Sequence, residues 1–375
     1  MLVLEIIFWL SLAALVWTHL GYALAAALGA LVRHRRVSGA DIEPTVSIVV
    51  AAHNEEDVIE RRVRNLLELD YPADRLEILV ASDASVDRTD ELVTALSRED
   101  PRVKLVGCPR GGKVAAQNRG VQESTGEIVA FSDANALWER DALRLLVRSF
   151  ADPAVGYVSG RASYEAPDGT NREGAYWRFE LWVRAQESRL GSITAGNGPI
   201  YAVRRSDWVD LEPWCGHDLG LPYLMVQRGR RAVYDPDAVS VEKPSRDIED
   251  EYQRKVRMLR GAWVHVFRGM LRRVGPIYFV ELVSHRLLRY ASGILHVLLL
   301  TTSVALVGEG WVYQLVLALQ LLWLALALAG RLRVPIPGAG LAYYYLVVTW
   351  ATLAGLARYV RFGPPLLWER IEGTR

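Results

Sequence analysis

Cysteine and lysine are rare in this chain of 375 residues, and its net charge is close to zero. Its two cysteines, Cys108 and Cys215, are far apart and give no disulfide framework, which suits a reducing cytosol. The formal net charge of +1 supplies no global field for a polyanion, so no nucleic-acid partner is expected. Lysine occurs at only four positions, which makes Lys113 in a glycine turn noticeable.

Long apolar runs are concentrated at the two ends of the chain. Residues 2–32 contain Glu5 as their only charge, and a bilayer core needs about 20 apolar residues. The basic cluster that follows, residues 33–36, predicts an N-terminus outside the membrane and a cytosolic domain after it. A cleaved signal peptide is the alternative, but its basic residues would precede the apolar core. We therefore expect a transmembrane anchor in residues 1–36.

The C-terminal third is predicted to return to the membrane. Residues 261–289 mix aromatic side chains with arginines, which is typical of interfacial helices. About three transmembrane helices are expected within 290–360, at 290–307, 311–329 and 341–357, followed by a C-terminal tail at 361–375. Four spans would place the C-terminus outside, whereas Arg358, Arg361 and Arg370 favour the inside, so a re-entrant span stays open as an alternative.

The middle of the chain, residues 44–260, alternates short apolar runs with helical patterns. The runs lie at 46–52, 76–80, 103–106 and 127–131. This alternation predicts βαβ units and a mostly parallel sheet, hence an α/β fold. Polar residues follow the runs, at the sheet edge where such folds bind ligands.

Three motifs at this edge each have an ordinary structural interpretation. Gly111-Gly112-Lys113 lacks the spacing of a full phosphate loop and reads equally well as a turn before a helix. Asp87 resembles a helix cap, and Asp133-Ala134-Asn135 is compatible with a plain turn. Asp83 lies where a capping role is less natural. Because all of them fall at one edge of one predicted sheet, a binding site is the better interpretation.

The order of these motifs resembles the nucleotide-sugar-binding half of family 2 inverting glycosyltransferases, whose fold is called GT-A. The similarity is greatest to membrane-embedded cellulose, hyaluronan, chitin-oligosaccharide and poly-N-acetylglucosamine synthases. The residues that carry it are 46–55 with the end Ala52-His53-Asn54-Glu55, Asp83, Gly112-Lys113, Asn118, Asp133-Ala134-Asn135, 196–205, His217-Asp218 and 254–258. The resemblance covers most of the chain and implies a Rossmann-like cytosolic GT-A domain flanked by transmembrane helices.

The resemblance also implies a donor site. Its residues would be Ala52, Asn54, Glu55, Asp83, Lys113, Asp133, Arg254 and Arg257. Asp83 would accept hydrogen bonds from the nucleotide, and Arg257 would grip the diphosphate bidentately. In the segment 254–258 the family's Gln and Trp are replaced by Arg254 and Met258, and a solvated basic helix face is the alternative interpretation.

A divalent cation, Mg²⁺ or Mn²⁺, is implied at Asp133 and Asn135. The third position of the family's Asp-x-Asp motif normally holds the metal, and here it is Asn135. Hard cations prefer carboxylates to neutral oxygens, so the sequence predicts weakened metal binding.

Asp218 is the implied catalytic base, because inverting transfer needs a carboxylate to take the acceptor's proton. A helix N-cap is its alternative or additional role. Gly196, Asn197, Gly198 and His217 would line the acceptor side. His217 replaces the first acid of the family's acidic pair and is the next candidate for the base.

Two functions follow from these residues. The favoured one is an inverting transferase that moves a sugar from a nucleoside diphosphate sugar, with UDP as the expected nucleotide, to a glycan or lipid-linked acceptor. It would act at the cytosolic face of the plasma membrane and could serve polysaccharide synthesis. The alternative is a weakly active or inactive nucleotide-sugar-binding partner in a polysaccharide assembly or export complex, which Asn135, His217 and Met258 keep open.

Overall fold

Within residues 1–164, 174–243 and 248–364, which the computed structural model describes, eight strands form one sheet. The strands are β1 (Val46–Ala52), β2 (Leu76–Asp83), β3 (Val103–Cys108), β4 (Ile128–Asp133), β5 (Leu137–Trp138), β6 (Val155–Tyr164), β7 (Tyr201–Arg204) and β8 (Arg231–Glu242). The strands predicted from the four apolar runs are all present, and β2, β3 and β4 extend further than predicted, to Asp83, Cys108 and Asp133.

The described residues also form α-helices. They are α1 (Leu2–Val16), α2 (Tyr22–Val32), α3 (Ile59–Leu67), α4 (Thr89–Glu99), α5 (Lys113–Glu123), α6 (Ala142–Arg148), α7 (Ala175–Leu190), α8 (His217–Gln227), α9 (Ile248–Phe267), α10 (Pro276–Glu281), α11 (Leu288–Tyr290), α12 (Ser292–Ala305), α13 (Trp311–Arg331) and α14 (Ala339–Phe362). Two π-helical segments, Trp17–Gly21 and Leu282–Leu287, separate α1 from α2 and α10 from α11.

Strand order explains where a ligand site forms. The first four strands pair in parallel in the order β3-β2-β1-β4, and the sheet continues as β7-β6-β8-β5 with β7 antiparallel to both of its neighbours. The chain proceeds from β1 outward to β2 and β3, then returns to the other side of β1 for β4. Such a switch point opens a crevice beyond the carboxyl ends of the central strands.

The central strand β1 is buried along its whole length because helices cover both faces of the sheet. Ile48 and Val50 pack in one apolar cluster with side chains of α3, α4 and α6, whereas Val49 and Ala51 pack in another with side chains of α5 and α8. A strand buried on both faces needs a continuous apolar run, which is what residues 46–52 provide.

The chain divides into two compact units. The sheet unit comprises residues 26–164, 174–243 and 268–279, and the helical unit comprises residues 1–25, α9 and 280–364. This division assigns the whole of α9 to the helical unit, so it differs from the boundary predicted at residue 260. Residues 365–375 of the predicted tail, with Arg370, lie outside the described residues, and α14 continues to Phe362.

Three helices in the described part are long and apolar enough to cross a membrane: Leu2–Val32, Trp311–Arg331 and Ala339–Phe362. The predicted span at 290–307 is not a separate long helix. Helix α12 has only 14 residues and follows Pro276–Tyr290 across a 65° bend, so this bent pair is at most one further span. The first arm of the pair takes up much of the segment predicted to be interfacial.

Polar contacts join the helices of the helical unit internally. The Trp17 indole N–H donates to Ser284 Oγ at 2.9 Å. The Tyr345 hydroxyl lies 2.9 Å from His19 Nε2 and 2.7 Å from His296 Nε2, so it links three helical segments. Hydrogen bonds between side chains are a common way to hold apolar helices together where the hydrophobic effect does not.

Close packing of α5 on β1 gives a first prediction. A Cβ added at Gly120 would stand 2.5 Å from Val49 Cγ1, within a filled core. Gly120→Ala should therefore lower the free energy of unfolding by about 1–3 kcal/mol, measured by denaturation in detergent.

Gly261→Ala in α9 is the matched control, because among the described residues no heavy atom comes within 4 Å of its added Cβ. It should be neutral or stabilise by up to ~1 kcal/mol through helix propensity. Equal stability changes in the two variants would contradict the close packing at Gly120.

Candidate active site

Asp83, the last residue of β2, is fully buried and holds the glycine turn that precedes α5. Its carboxylate accepts hydrogen bonds from the backbone N–H groups of Gly111 at 2.7 Å and Gly112 at 3.0 Å, and it also pairs with the Arg110 guanidinium. Gly112 has φ of 87°, a region that favours glycine. The predicted nucleotide contact of Asp83 is untested, and its carboxylate already has these three donors.

Hydrogen bonds connect the segment after β1 to the segment after β2. Ala52 is the buried end of β1, and Asn54 Oδ1 accepts a hydrogen bond from Val86 N–H at 2.9 Å. Glu55 N–H donates to Thr89 Oγ1 at 2.7 Å. Asp87 accepts a hydrogen bond from Thr89 N–H at 3.0 Å at the start of α4, although the N-cap of that helix is Arg88 and not Asp87 as predicted. These contacts fix the backbone beside Asp83.

Lys113 and Asp133 form an ion pair across the crevice, between the first residue of α5 and the last residue of β4. Burial alone would lower the pKa of Lys113, but the Asp133 carboxylate outweighs it and raises that pKa above its usual value. Both side chains stay partly exposed, so the ammonium group is charged and accessible to an anionic ligand.

The segment 196–199 faces this ion pair through its glycine. A Cβ at Gly198 would lie 3.8 Å from Lys113 Nζ and 3.8 Å from Asp133 Oδ2. Gly196 N–H donates to the Asp218 carbonyl at 2.6 Å. The Asn197 side chain is buried, accepts a hydrogen bond from Arg184 and donates one to the Gly160 carbonyl. It therefore holds the segment 196–199 in place and is not directed toward an acceptor substrate.

Asp218 lies in the first turn of α8, near the same ion pair. Burial raises the pKa of its carboxyl, the Lys113 charge partly opposes that rise, and the Asp133 charge adds to it. The N-cap of α8 is Gly216, so the predicted capping role of Asp218 is wrong. Its Oδ1 accepts only a local hydrogen bond from Leu219 N–H, at 3.0 Å, among the contacts described for it.

His217 points into the core of the sheet unit. Its Nδ1 lies 2.8 Å from the Tyr201 hydroxyl, which also receives a hydrogen bond from Gln117 Nε2 at 3.2 Å. Burial and the nearby Lys113 charge lower its pKa to about 3. Because this imidazole is buried, hydrogen-bonded inward and weakly basic, it fits neither the acceptor-side role nor the reserve role of base that the sequence suggested.

Arg254 and Arg257 lie on α9 in the helical unit. Arg254 pairs with Glu251, with Nη2 and Oε2 2.7 Å apart. Their assignment to the donor remains a prediction.

The metal prediction can be tested against the donor atoms present. Across the described ranges, no group of three or more His, Cys, Asp or Glu side chains could hold an ion by itself. Asp133 supplies a carboxylate already paired with Lys113, and Asn135, two residues further on, is partly exposed. One carboxylate and one amide oxygen suit an ion that takes its other ligands from a diphosphate and water.

The sequence did not indicate the residues whose side chains bind and position the site residues. Arg110 pairs with Asp83, and Arg184 donates to Asn197. Tyr201 is fully buried, and its hydroxyl lies 2.8 Å from His217 Nδ1. None of these had a sequence signal, since each contact joins residues distant in sequence or depends on burial.

Removing the Asp83 carboxylate should loosen the glycine turn. Asp83→Ala leaves the Gly111 and Gly112 N–H groups and the Arg110 guanidinium without their acceptor, which typically costs about 1–3 kcal/mol per buried group. We expect nucleoside diphosphate affinity to fall about tenfold or more by calorimetry.

The control is Asp100→Ala, because Asp100 pairs with Arg102 just before β3, away from the carboxyl ends of the strands. An Asp83→Ala protein with wild-type nucleotide affinity would remove Asp83 from the donor site, directly and through the turn.

The sequence matches the family described as Glycosyl transferase family 2 over residues 47–210. It is 35% identical over 174 residues to a beta-monoglucosyldiacylglycerol synthase of Synechocystis sp., covering 44% of this chain and 36% of that protein. It is 34% identical over 233 residues to a probable glycosyltransferase of Bacillus subtilis, covering 58% of this chain and 55% of that protein. The chain thus spans about a third to a half of the length of these relatives.

Among solved structures, a mannosyltransferase from Pyrobaculum calidifontis in complex with GDP-Man and Mn²⁺ has the same fold. The TM-score is 0.76 at 26% identity, over 95% of this chain and 99% of that one. The predicted GT-A architecture is thereby confirmed. Residues 47–210 of this chain are a glycosyl transferase family 2 domain with the GT-A fold.

Proposed function

We propose that this protein is a membrane-bound inverting glycosyltransferase that moves a sugar from a nucleoside diphosphate sugar to a glycan or lipid-linked acceptor. UDP is the proposed nucleotide by analogy with the synthases that the sequence resembles, and a lipid-linked acceptor is proposed by analogy with the beta-monoglucosyldiacylglycerol synthase relative. The domain match and the fold support the class of reaction, and the acceptor rests on analogy.

The observation that carries the proposal is the position of Asp218. Its carboxyl group lies within electrostatic reach of both Lys113 and Asp133, at the carboxyl edge of the sheet where β4 ends. Lys113 is a charged donor for diphosphate oxygens, and Gly198 leaves room in front of the ion pair. A cation for the leaving group and a base for the nucleophile therefore share one crevice.

The chemistry assigns each residue a single task. The acceptor hydroxyl oxygen attacks the anomeric carbon, the bond from that carbon to the diphosphate breaks, and the configuration inverts. Asp218 takes the hydroxyl proton, and its raised pKa makes it a stronger base than an ordinary carboxylate. Lys113 faces the negative charge that develops on the departing diphosphate.

Asp133 and Asn135 would hold the divalent cation against the diphosphate. When bound, such an ion neutralises charge on the leaving group. Because Asn135 is neutral, the ion would depend more on the diphosphate than on the protein.

The three helices that could span a bilayer support the membrane location. Arg33, Arg35 and Arg36 come directly after the first of them and support a cytosolic sheet unit. A nucleotide sugar would then be consumed at the cytosolic face of the plasma membrane.

Asp218→Asn should abolish transfer while nucleotide affinity stays close to wild type. The amide keeps the shape of the side chain but does not accept the proton, and a positioned base contributes about 10²–10⁴-fold in rate. Transfer is measured as nucleoside diphosphate released from a panel of UDP- and GDP-linked sugars with membrane lipid present. In the wild type, activity should be lost as pH falls through a pKa above the ordinary carboxyl value of 3.8.

Asp210→Asn is the control, because exposed Asp210 bonds Gln122 and Trp208 away from the ion pair. A folded Asp218→Asn protein that retains transfer within about threefold would place the base elsewhere. A wild-type protein that binds UDP but turns over none of the donors would favour the inactive binding partner instead.

Asn135→Asp should tighten Mn²⁺ binding in the presence of UDP, because a carboxylate is the better hard ligand. Asn135→Ala is the counterpart that should weaken it. Titration of Mn²⁺ into each UDP complex measures both effects, and identical Mn²⁺ affinities in all three proteins would show that residue 135 does not contact the ion.

A further inference from the structure

Arg62 is a buried guanidinium in the middle of the sheet unit. It lies on α3 with no exposed surface, although a buried charge is costly unless something compensates for it. Burial lowers its pKa to about 9, and Asp133 and Glu242 oppose that shift, so Arg62 is still charged near neutral pH. Its Nε and Nη2 have no hydrogen-bond partner within the described ranges.

The contacts that Arg62 does make lead to one tryptophan. Its Nη1 donates to Asn65 Oδ1, and its guanidinium stands 5.1 Å from the ring centre of Trp138. Asn65 Oδ1 also accepts from Trp138 N–H at 2.9 Å, and Asn65 Nδ2 donates to the Trp138 carbonyl at 3.0 Å. The asparagine amide thus pairs with Trp138 as a neighbouring strand would.

Trp138 connects this group to the loop in front of β7. Its indole N–H donates to the Pro199 carbonyl at 2.9 Å. Pro199 follows Gly198, which faces Lys113 and Asp133, and Trp138 ends the segment that begins at Asp133. One side chain therefore ties together the two loops that bound the crevice.

We propose that Arg62 is a positioning residue for the proposed transfer reaction, acting through Asn65 and Trp138 to hold the segment 133–138 and the segment 196–199 at a fixed separation. This inference rests on the proposed function. A shift of about 1 Å in a reacting group can cost 10²-fold in rate, so such a brace matters even though it touches no substrate.

Trp138→Phe is the sharpest test. It keeps a ring for the Arg62 guanidinium and removes the N–H that reaches Pro199, together with part of the buried indole ring. We expect kcat for nucleotide-sugar turnover to fall about tenfold while the donor KM and the affinity for UDP change less than about twofold. Amide hydrogen exchange should rise in the segments 133–138 and 196–200 and stay unchanged in β1 and β2.

Arg62→Met should produce the same pattern with a larger rise in hydrogen exchange at 133–138, because Asn65 loses the donor that orients it. Arg64→Met is the matched control: it removes an arginine two residues away on the same helix, half exposed and paired only with Glu60 and Glu99 among its ion pairs here. It should leave turnover and exchange at wild-type values.

A folded Trp138→Phe protein with wild-type kcat and unchanged exchange in both segments would overturn the inference. So would a uniform rise in exchange across the sheet with proportional losses of kcat and UDP affinity, since that describes a general loss of stability. If the wild type turns over no donor, the proposed function fails, and hydrogen exchange alone decides whether the brace exists.

Discussion

Parallel pairing of β1 with β2 and β4 is the constraint on which the site depends. The register sets Ala52 opposite Ser82 and Ala51 opposite Asp133, so the ends of all three strands lie side by side. Asp83 and Asp133, 50 positions apart in the sequence, are thereby brought to the same edge of the sheet.

Most charges at this edge are already matched within the protein. Asp83 is held by the glycine turn and Arg110, and Asp133 by Lys113, while Arg62 lies behind the loop. Such pairing in a partly buried setting costs little reorganisation when a charged ligand arrives, which is how preorganised sites stabilise developing charge. Because residue 135 is a neutral asparagine and not a second carboxylate, the cationic side chains contribute more to the charge of this edge.

The helices of the helical unit contact one another in a different way from the elements of the sheet unit. Its long apolar helices have few charges, and they contact one another through close approach and a small number of polar side chains. Gly330 packs directly against the backbone at Ala339, and Tyr345 bridges His19 and His296. In a membrane both devices hold helices together without help from the hydrophobic effect.

The sequence by itself determined the parallel half of the sheet, the long apolar helix at the N-terminus and the polar residues at the ends of the strands. Apolar runs of fixed length allow few structures, and polar residues directly after them must lie at one edge. Only the tertiary structure decided which of those residues lie together. His217 turns inward onto Tyr201, the N-cap of α8 is Gly216, and the helices bend near residue 291, and none of these features has a local sequence pattern. The brace from Arg62 to Pro199 joins residues 137 positions apart, and contacts of that range arise only when the strands between them have paired.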